Sequence, residues 1–141
     1  MNKILLRAHV KWAEAAAGPN LFPYRDTAKK LTIGYGHNLD DRGISPSVAE
    51  LLLTEDLDLA IADAESLPYW DTLCPVRQLV LSDMLFNLGL TKFRKFVNLN
   101  KALLTQDYNL AAHEMQDSRW YRQTTRRAKV LVEAMRTGLW K

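Results

Sequence analysis

The sequence has a single cysteine, Cys74, and so it cannot form an intramolecular disulfide. Packing alone must hold the fold together, which fits synthesis in a reducing cytosol. No run of apolar residues approaches the length of a membrane span, so we expect no stable membrane insertion. The apolar stretch from Ile4 to Leu6 ends at Arg7 and is too short for a signal peptide, so none is expected.

The sequence also lacks internal repeats, low-complexity tracts and long linkers. Its 141 residues, of which 48% are hydrophobic, suffice for one domain with a real core. We therefore expect a single domain over residues 1–141.

Metal-binding patterns are missing as well. His37 would need further ligands at suitable spacing, and neither His9 nor His113 is placed to supply them. The sequence therefore predicts no metal site and no cofactor.

The formal net charge is +3, a mild basic excess that suits a polyanionic partner without selecting one. Over residues 119–141 only Glu133 is acidic, whereas seven residues are basic: Arg119, Arg122, Arg126, Arg127, Lys129, Arg136 and Lys141. These charges form either a solvated helix face or a functional basic patch. A nucleic-acid binder would depend on this charge alone, and the sequence contains no motif for nucleic-acid recognition.

The spacing of apolar residues predicts a mostly helical chain with one early β-hairpin. A helix is expected over residues 1–16, ended by Gly18-Pro19. Strands are expected over residues 24–27 and 31–36, and residues 40–43 read as a loop. Ser45 and Pro46 then begin a long helix to about residue 66. Further helices are predicted over residues 75–88, 92–104, 106–115 and 125–137.

This order of elements predicts an α+β fold that is mostly α. We expect two lobes with a cleft between them, the usual place for a ligand site. The hairpin lobe covers about residues 18–45 and the connecting helix about residues 46–66. The helical lobe covers about residues 68–141 and includes the N-terminal helix, residues 1–16.

One block of sequence carries the strongest functional signal. Residues 18–27 read Gly-Pro-Asn-Leu-Phe-Pro-Tyr-Arg-Asp-Thr, and residues 31–37 read Leu-Thr-Ile-Gly-Tyr-Gly-His. The block resembles the active-site signature of the phage-type lysozymes, the endolysins of glycoside hydrolase family twenty-four. In that family a helix ends in Glu-Gly, and a hairpin with Tyr-x-Asp and Thr-Ile-Gly-x-Gly-His follows.

The second half of the chain is similar to the T-even coliphage branch of the same family. The similarity lies in residues 118–129, Ser-Arg-Trp-Tyr-Arg-Gln-Thr-Thr-Arg-Arg-Ala-Lys, and in residues 135–140, Met-Arg-Thr-Gly-Leu-Trp. Phe86-Asn87-Leu88-Gly89 resembles a motif of the cleft-lining helix. The ordered set of motifs therefore spans nearly the whole chain.

The resemblance implies two roles on the water side of a glycosidic bond. Asp26 would position or activate water, and the hydroxyl of Thr32 would help to orient it. Each residue also has a structural reading, because Asp often caps a turn and Thr is favoured in strands. Cleavage also needs a carboxyl that protonates the leaving oxygen.

The position of that acid in the family, directly before Gly18, holds Ala17. Ala17 carries no proton, so the resemblance implies that this copy is inactivated, either by an engineered Glu-to-Ala change or as a natural pseudoenzyme. Glu14 lies three residues earlier on about the same helix face, but ~4.5 Å away along the axis. Because catalytic groups tolerate errors of only ~0.5 Å, we expect Glu14 not to substitute.

Other residues receive supporting roles. Asp56 lies on an otherwise apolar stripe of the long helix and needs a partner, which the resemblance implies is His37, in a structural pair. The resemblance also places Phe86 and Asn87 beside the bound sugar, whereas Phe86 could equally be core. Trp120 could stack on sugars or anchor the core.

The resemblance implies an inverting muramidase that cuts between N-acetylmuramic acid and N-acetylglucosamine in peptidoglycan during host lysis. The alternative is a natural, non-catalytic peptidoglycan-binding protein. We expect a monomer that stays in the host cytoplasm until lysis and then acts in the periplasm and cell wall. Without a signal peptide, its release is expected to need a holin.

Overall fold

The computed structural model describes residues 1–15 and 17–140. The chain divides into two compact units, Met1–Glu50 and Leu51–Lys141. The described residues form eight α-helices, a short 3₁₀ helix and a three-stranded antiparallel sheet. The predicted class, α+β and mostly α, is therefore confirmed. None of the helices in this part of the chain has the length and apolar character that a membrane crossing requires.

The first unit begins with helix α1, Lys3–Ala15. The side chain of Asn2 caps the N-terminus of this helix, since its Oδ1 accepts hydrogen bonds from two backbone N–H groups of the first turn, both at 3.1 Å. The helix predicted over residues 1–16 is thus confirmed up to its penultimate residue, and Ala16 lies outside the described residues. Ala17 lies in the turn that follows.

The sheet lies entirely in the first unit, and its strands pair in chain order: β1 Asn20–Arg25, β2 Leu31–Gly34 and β3 His37–Asn38. Tyr24 lies opposite Thr32, and Ile33 lies opposite His37. The predicted hairpin is confirmed, although its first strand begins earlier than expected and ends at Arg25.

The predicted second strand, residues 31–36, is wrong at its end. Gly34 and Gly36 have φ angles of +67° and +77°, values that favour glycine. They turn the chain after Gly34 into β3, a strand that the sequence did not reveal.

Residues 40–43 were expected to form a loop, and this too is wrong. Helix α2, Leu39–Arg42, occupies the segment. Asn38 caps it, because its Oδ1 accepts the Asp41 N–H at 2.9 Å. The helix ends at Gly43, which has a φ of +57°.

The predicted long helix is confirmed as α3, Pro46–Glu65. The hydroxyl of Ser45 accepts the N–H of Val48 at 3.4 Å, and Pro46 takes the first helical position. This helix begins in the first unit and continues into the second.

The second unit contains the 3₁₀ helix Trp70–Thr72 and five further α-helices: α4 Pro75–Leu88, α5 Leu90–Phe93, α6 Val97–Leu104, α7 Tyr108–Gln116 and α8 Arg119–Thr137. Gly89 ends α4 and Gly138 ends α8, as the sequence predicts. The core of this unit contains large, fully buried side chains: Phe93, Leu81, Met84, Leu99, Leu103, Met115, Leu131, Met135 and Val80.

Two predicted helices differ from the structure. The helix over residues 92–104 is in fact two helices, because Phe96 has a non-helical ψ of 66°. The last helix begins at Arg119 rather than residue 125, because the Ser118 hydroxyl accepts the Tyr121 N–H at 3.0 Å and so caps it. Thr125, with a φ of 23°, marks a kink within it.

Candidate active site

Asp26 closes the turn between β1 and β2. Its Oδ1 accepts the backbone N–H groups of Ala28 at 2.9 Å and Lys30 at 2.8 Å. Among the described residues, no hydrogen bond engages its other oxygen, Oδ2. The turn-capping reading of Asp26 is therefore correct for one oxygen, while the second oxygen remains able to bind water.

Thr32 and Asp26 both form hydrogen bonds with the backbone of Lys30. The Thr32 hydroxyl donates to the Lys30 carbonyl at 3.0 Å, while the Lys30 N–H donates to Asp26. Thr32 is 3% exposed and is the one buried polar residue in the described part of the chain. Because its proton points at Lys30, the hydroxyl oxygen still has lone pairs that can accept a hydrogen bond.

Two ion pairs that the sequence did not reveal join this turn to α2. Arg25 contacts the Asp40 carboxylate at 3.0 Å, and the Lys30 ammonium contacts Asp41 at 2.7 Å. The hydrogen bond to Asp41 raises the pKa of Lys30, and the same bond lowers the pKa of Asp41. Asp40 also accepts the Leu31 N–H at 2.9 Å. An Asp pair just after a capping Asn is the signal that could have indicated this helix.

Glu14, near the end of α1, reaches the turn between β2 and β3. A Cβ atom built on Gly36 would lie 2.7 Å from Glu14 Oε2 and 3.1 Å from its Cδ. The neighbouring Tyr35 ring lies 5.1 Å from the Lys11 ammonium. The Glu14 carboxylate therefore lies directly against the glycine-rich turn of the signature.

Ala17 is exposed in the turn after α1. The N–H of Gly18 donates to the Ala15 carbonyl at 2.9 Å, which closes this turn. Position 17 is thus not part of α1, and its methyl group offers no proton.

His37 is half-buried in β3, and its Nε2 lies 2.5 Å from the Gly43 carbonyl oxygen. This contact joins the sheet to the end of α2. Asp56 is exposed on α3, so burial gives it no need for a partner, and that premise of the predicted pair was wrong. The pairing of His37 with Asp56 itself stays a prediction.

Asn87 and Phe86 lie at the end of α4 in the second unit. The indole N–H of Trp120 donates to Asn87 Oδ1 at 3.1 Å, and Trp120 is 3% exposed, so its reading as a core anchor is confirmed. Phe86 is 37% exposed and lies 5.8 Å from the Arg127 guanidinium. Phe86 is therefore not a core residue, and its role beside a sugar stays a prediction, as does that of Asn87.

Arg127 and Asp83, which the sequence did not single out as a pair, form a two-pronged ion pair beside Phe86. Arg127 Nε and Nη2 donate to the two Asp83 oxygens at 2.8 and 2.9 Å. Over residues 1–15 and 17–140, no group of three or more His, Cys, Asp or Glu side chains could hold a metal ion.

Comparison with known proteins gives a consistent result. The probable T4-type lysozymes 1 and 2 of Dictyostelium discoideum are 26% and 27% identical to the chain, each over 86% of the chain and 89% of the relative. The pre-baseplate central spike protein Gp5 of Enterobacteria phage T4 is 34% identical, over 50% of the chain and 12% of that protein. Residues 14–136 match the sequence profile of the phage lysozymes. The chain therefore belongs to the phage lysozyme family.

Proposed function

We propose that the chain is a muramidase that hydrolyses the bond between N-acetylmuramic acid and N-acetylglucosamine in peptidoglycan, during phage-induced lysis of the host. Membership of the phage lysozyme family supports a lysozyme-type glycosidase with this substrate. The observation that carries the proposal is the Asp26 carboxylate, held by two backbone N–H groups through one oxygen only.

Hydrolysis with inversion needs a carboxylate that activates water on the face opposite the leaving group. Two hydrogen bonds to Oδ1 fix the orientation of the Asp26 carboxylate. Its Oδ2 is therefore already oriented when it accepts a proton from water. The Thr32 oxygen, with its own proton engaged, accepts a hydrogen bond from the same water. Because Thr32 is nearly buried, bulk solvent has little access to its hydroxyl.

The alternative is a peptidoglycan-binding protein without activity, and it rests on Ala17. If position 17 were the only source of the acid, the chain would bind glycan and leave it uncut, whether the alanine is natural or engineered. The Glu14 carboxylate against the Gly36 turn favours the catalytic function, because it is a carboxyl group at another position that lies against the signature.

We also propose that the protein acts as a monomer and waits in the host cytoplasm until a holin opens the inner membrane. It would then act on the wall through glycan strands of anionic character. The basic character of α8 suits such a polymer, since all six of its cations are exposed: Arg119, Arg122, Arg126, Arg127, Lys129 and Arg136. Arg127 and Arg136 contact Asp83 and Glu133, and Lys141 lies outside the described residues.

Release of reducing ends from purified peptidoglycan tests this function. Asp26→Asn keeps the Oδ1 acceptor and hence the turn, but it removes the carboxylate, so the rate should fall by ~10²–10⁴-fold. Asp71→Asn, at an exposed position of the second unit, is the matched control and should leave the rate unchanged. Equal rates for the two variants would show that Asp26 only caps the turn.

A further inference from the structure

Glu14 is the only acidic residue of α1 and lies one residue before the end of that helix. The whole end of its side chain lies over Gly36, because a Cβ there would come within 2.7 Å of Oε2, 3.1 Å of Cδ and 3.6 Å of Cγ. A Cβ at position 36 would displace the end of this side chain from the turn. The glycine at position 36 therefore serves the placement of a carboxylate as well as the turn.

The same sheet carries Asp26 at its opposite end. Arg25, directly before Asp26, pairs with Leu31, and the turn against Glu14 begins at Gly34. The three residue steps from Leu31 to Gly34 span about 10 Å of strand. A backbone spacing of this size accommodates two carboxyl groups ~6.5–9.5 Å apart, the separation that an inverting glycosidase needs for its water.

The expectation that Glu14 cannot substitute for position 17 assumed that both residues belong to one continuous helix. The structure removes this premise, since α1 ends at Ala15 and Ala17 lies in the following turn. A distance along the helix axis therefore says nothing about which position reaches the sheet. The segment that matches the family profile begins at residue 14 and so includes Glu14.

We infer that Glu14, and not position 17, supplies the general acid of this chain. The inference rests on the proposed muramidase function and assigns its proton donor. The chain is then a competent hydrolase in which Ala17 is a turn residue.

In the proposed reaction, the Glu14 carboxyl gives its proton to the glycosidic oxygen while the bond from that oxygen to the anomeric carbon breaks. The electron pair of the broken bond stays on the oxygen, which leaves as a hydroxyl. A water oxygen bonds to the anomeric carbon from the opposite face, and Asp26 accepts the proton that the water loses. One water is consumed, and proton exchange with solvent restores both carboxyl groups.

The first experiment measures the rate of reducing-end release from peptidoglycan by the unaltered chain, Glu14→Gln and Ala17→Glu. Glu65→Gln, at an exposed glutamate of α3, is the control for the chemical change. We expect the unaltered chain and the control to be active, and Glu14→Gln to be at least ~10²-fold slower. The residual activity of Glu14→Gln should also lose the alkaline limb of the pH–rate profile, which reports ionisation of the acid.

The second experiment uses two glycines of the same turn. Gly34 and Gly36 have similar positive φ angles, so alanine strains the backbone at either position. Among the described residues, nothing lies within 4 Å of a Cβ at Gly34, whereas a Cβ at Gly36 meets Glu14. Gly36→Ala should therefore lower kcat at least ~10-fold further than Gly34→Ala, and in the Glu14→Gln background the two should be equal.

The outcomes separate this inference from the function on which it rests. If the unaltered chain is active and Glu14→Gln is equally active, the assignment of Glu14 is wrong and the muramidase function stands. If the chain is inactive and Ala17→Glu is active, position 17 is the acid site: the assignment of Glu14 fails, and the unaltered chain is the inactive peptidoglycan-binding protein of the alternative. If both are folded by circular dichroism and neither cleaves peptidoglycan, the proposed function and the assignment fail together.

Discussion

The indole of Trp120 holds the amide of Asn87, with Nε1 donating to Oδ1 at 3.1 Å. This bond decides which end of the amide is engaged, so Nδ2 is the end that can donate to a ligand. Trp120 is buried and Asn87 is exposed, so a core residue sets the orientation of a surface donor.

Asn87→Asp should weaken binding to peptidoglycan fragments without unfolding the protein. Aspartate keeps an acceptor for Trp120 but loses the Nδ2 donor, so the affinity should fall by about 1 kcal/mol, close to tenfold in Kd. Titration calorimetry with a muropeptide oligomer measures this change. An unchanged Kd would show that Asn87 does not contact the glycan.

Trp120→Phe is expected to act differently. It removes the donor to Asn87 and leaves a smaller ring in the core, so the free energy of unfolding should fall by about 1–3 kcal/mol. Binding should weaken as well, because the amide can then rotate. A variant with reduced stability and unaltered affinity would contradict the proposed positioning of Asn87.

The ion pair of Lys30 and Asp41 should give a pH-dependent contribution to stability. The bond to Lys30 lowers the pKa of Asp41 from its ordinary 3.8, so the Asp41 contribution is complete above that value and is lost as the pH falls through the depressed folded pKa. The pKa of Lys30 is raised from 10.5, so its contribution is complete below that value and is lost as the pH rises through the raised one. Stability from the pair is thus greatest between these two ordinary values.

Asp41→Asn should therefore lower the melting temperature at pH 7 and leave it little changed near pH 2. Both groups are exposed, so the effect should be small and should shrink in 1 M salt. Melting curves at three pH values and two salt concentrations measure it, with Glu133→Gln at the Arg136 pair as a control. A difference that is the same at pH 2 and pH 7 would show that the pair does not account for it.

Arg77 should be the most important cation for the stability of the second unit. Its Nε donates to the Met135 carbonyl at 2.8 Å, and its guanidinium lies 3.6 Å from the centre of the Tyr108 ring. Arg77→Ala removes the contact with the end of α8 and the contact with Tyr108 at the start of α7, and should cost about 2–4 kcal/mol. Arg136→Ala, at an exposed pair, should cost less than ~1 kcal/mol. Chemical unfolding of both variants tests this order, and equal losses would contradict it.

The pair of His37 and Asp56 is tested by a double-mutant cycle. The contact of His37 Nε2 with the Gly43 carbonyl gives His37→Ala a cost of its own, about 1–2 kcal/mol. The pair predicted from sequence further requires a coupling above ~0.5 kcal/mol with Asp56→Ala. If the losses in the free energy of unfolding of the two single variants add up to that of the double variant, His37 and Asp56 do not pair, and Gly43 is the partner of His37.

Local signals predicted much of the fold. Glycines at positions 89 and 138 ended helices as expected, and Ser45-Pro46 began one, because capping depends on neighbours in sequence. Strand β3 and helix α2 were missed, because the spacing of apolar residues does not reveal them. The first depends on the glycine turn after Gly34, and the second on the cap formed by Asn38. The motif identified Asp26 and Thr32, but not the bond of each to Lys30.

The reach of Glu14 to Gly36 could not be read from the sequence. The two residues are far apart along the chain, and their approach depends on where α1 ends and on the path of the following turn. Counting positions back from Gly18 located Ala17, which the structure places in that turn. The spacing of residues in the sequence therefore identified the signature, whereas only the structure shows that the Glu14 carboxyl lies against its glycine turn.

The products that the unaltered protein releases from peptidoglycan show most directly whether this chain is a muramidase. Purified peptidoglycan is digested, reduced with borohydride and analysed by mass spectrometry. We expect muropeptides whose reduced end is N-acetylmuramitol, because the cut leaves N-acetylmuramic acid at the new end. Glycan that is bound by the folded protein but stays uncut, or that ends in reduced N-acetylglucosamine, would contradict the muramidase function.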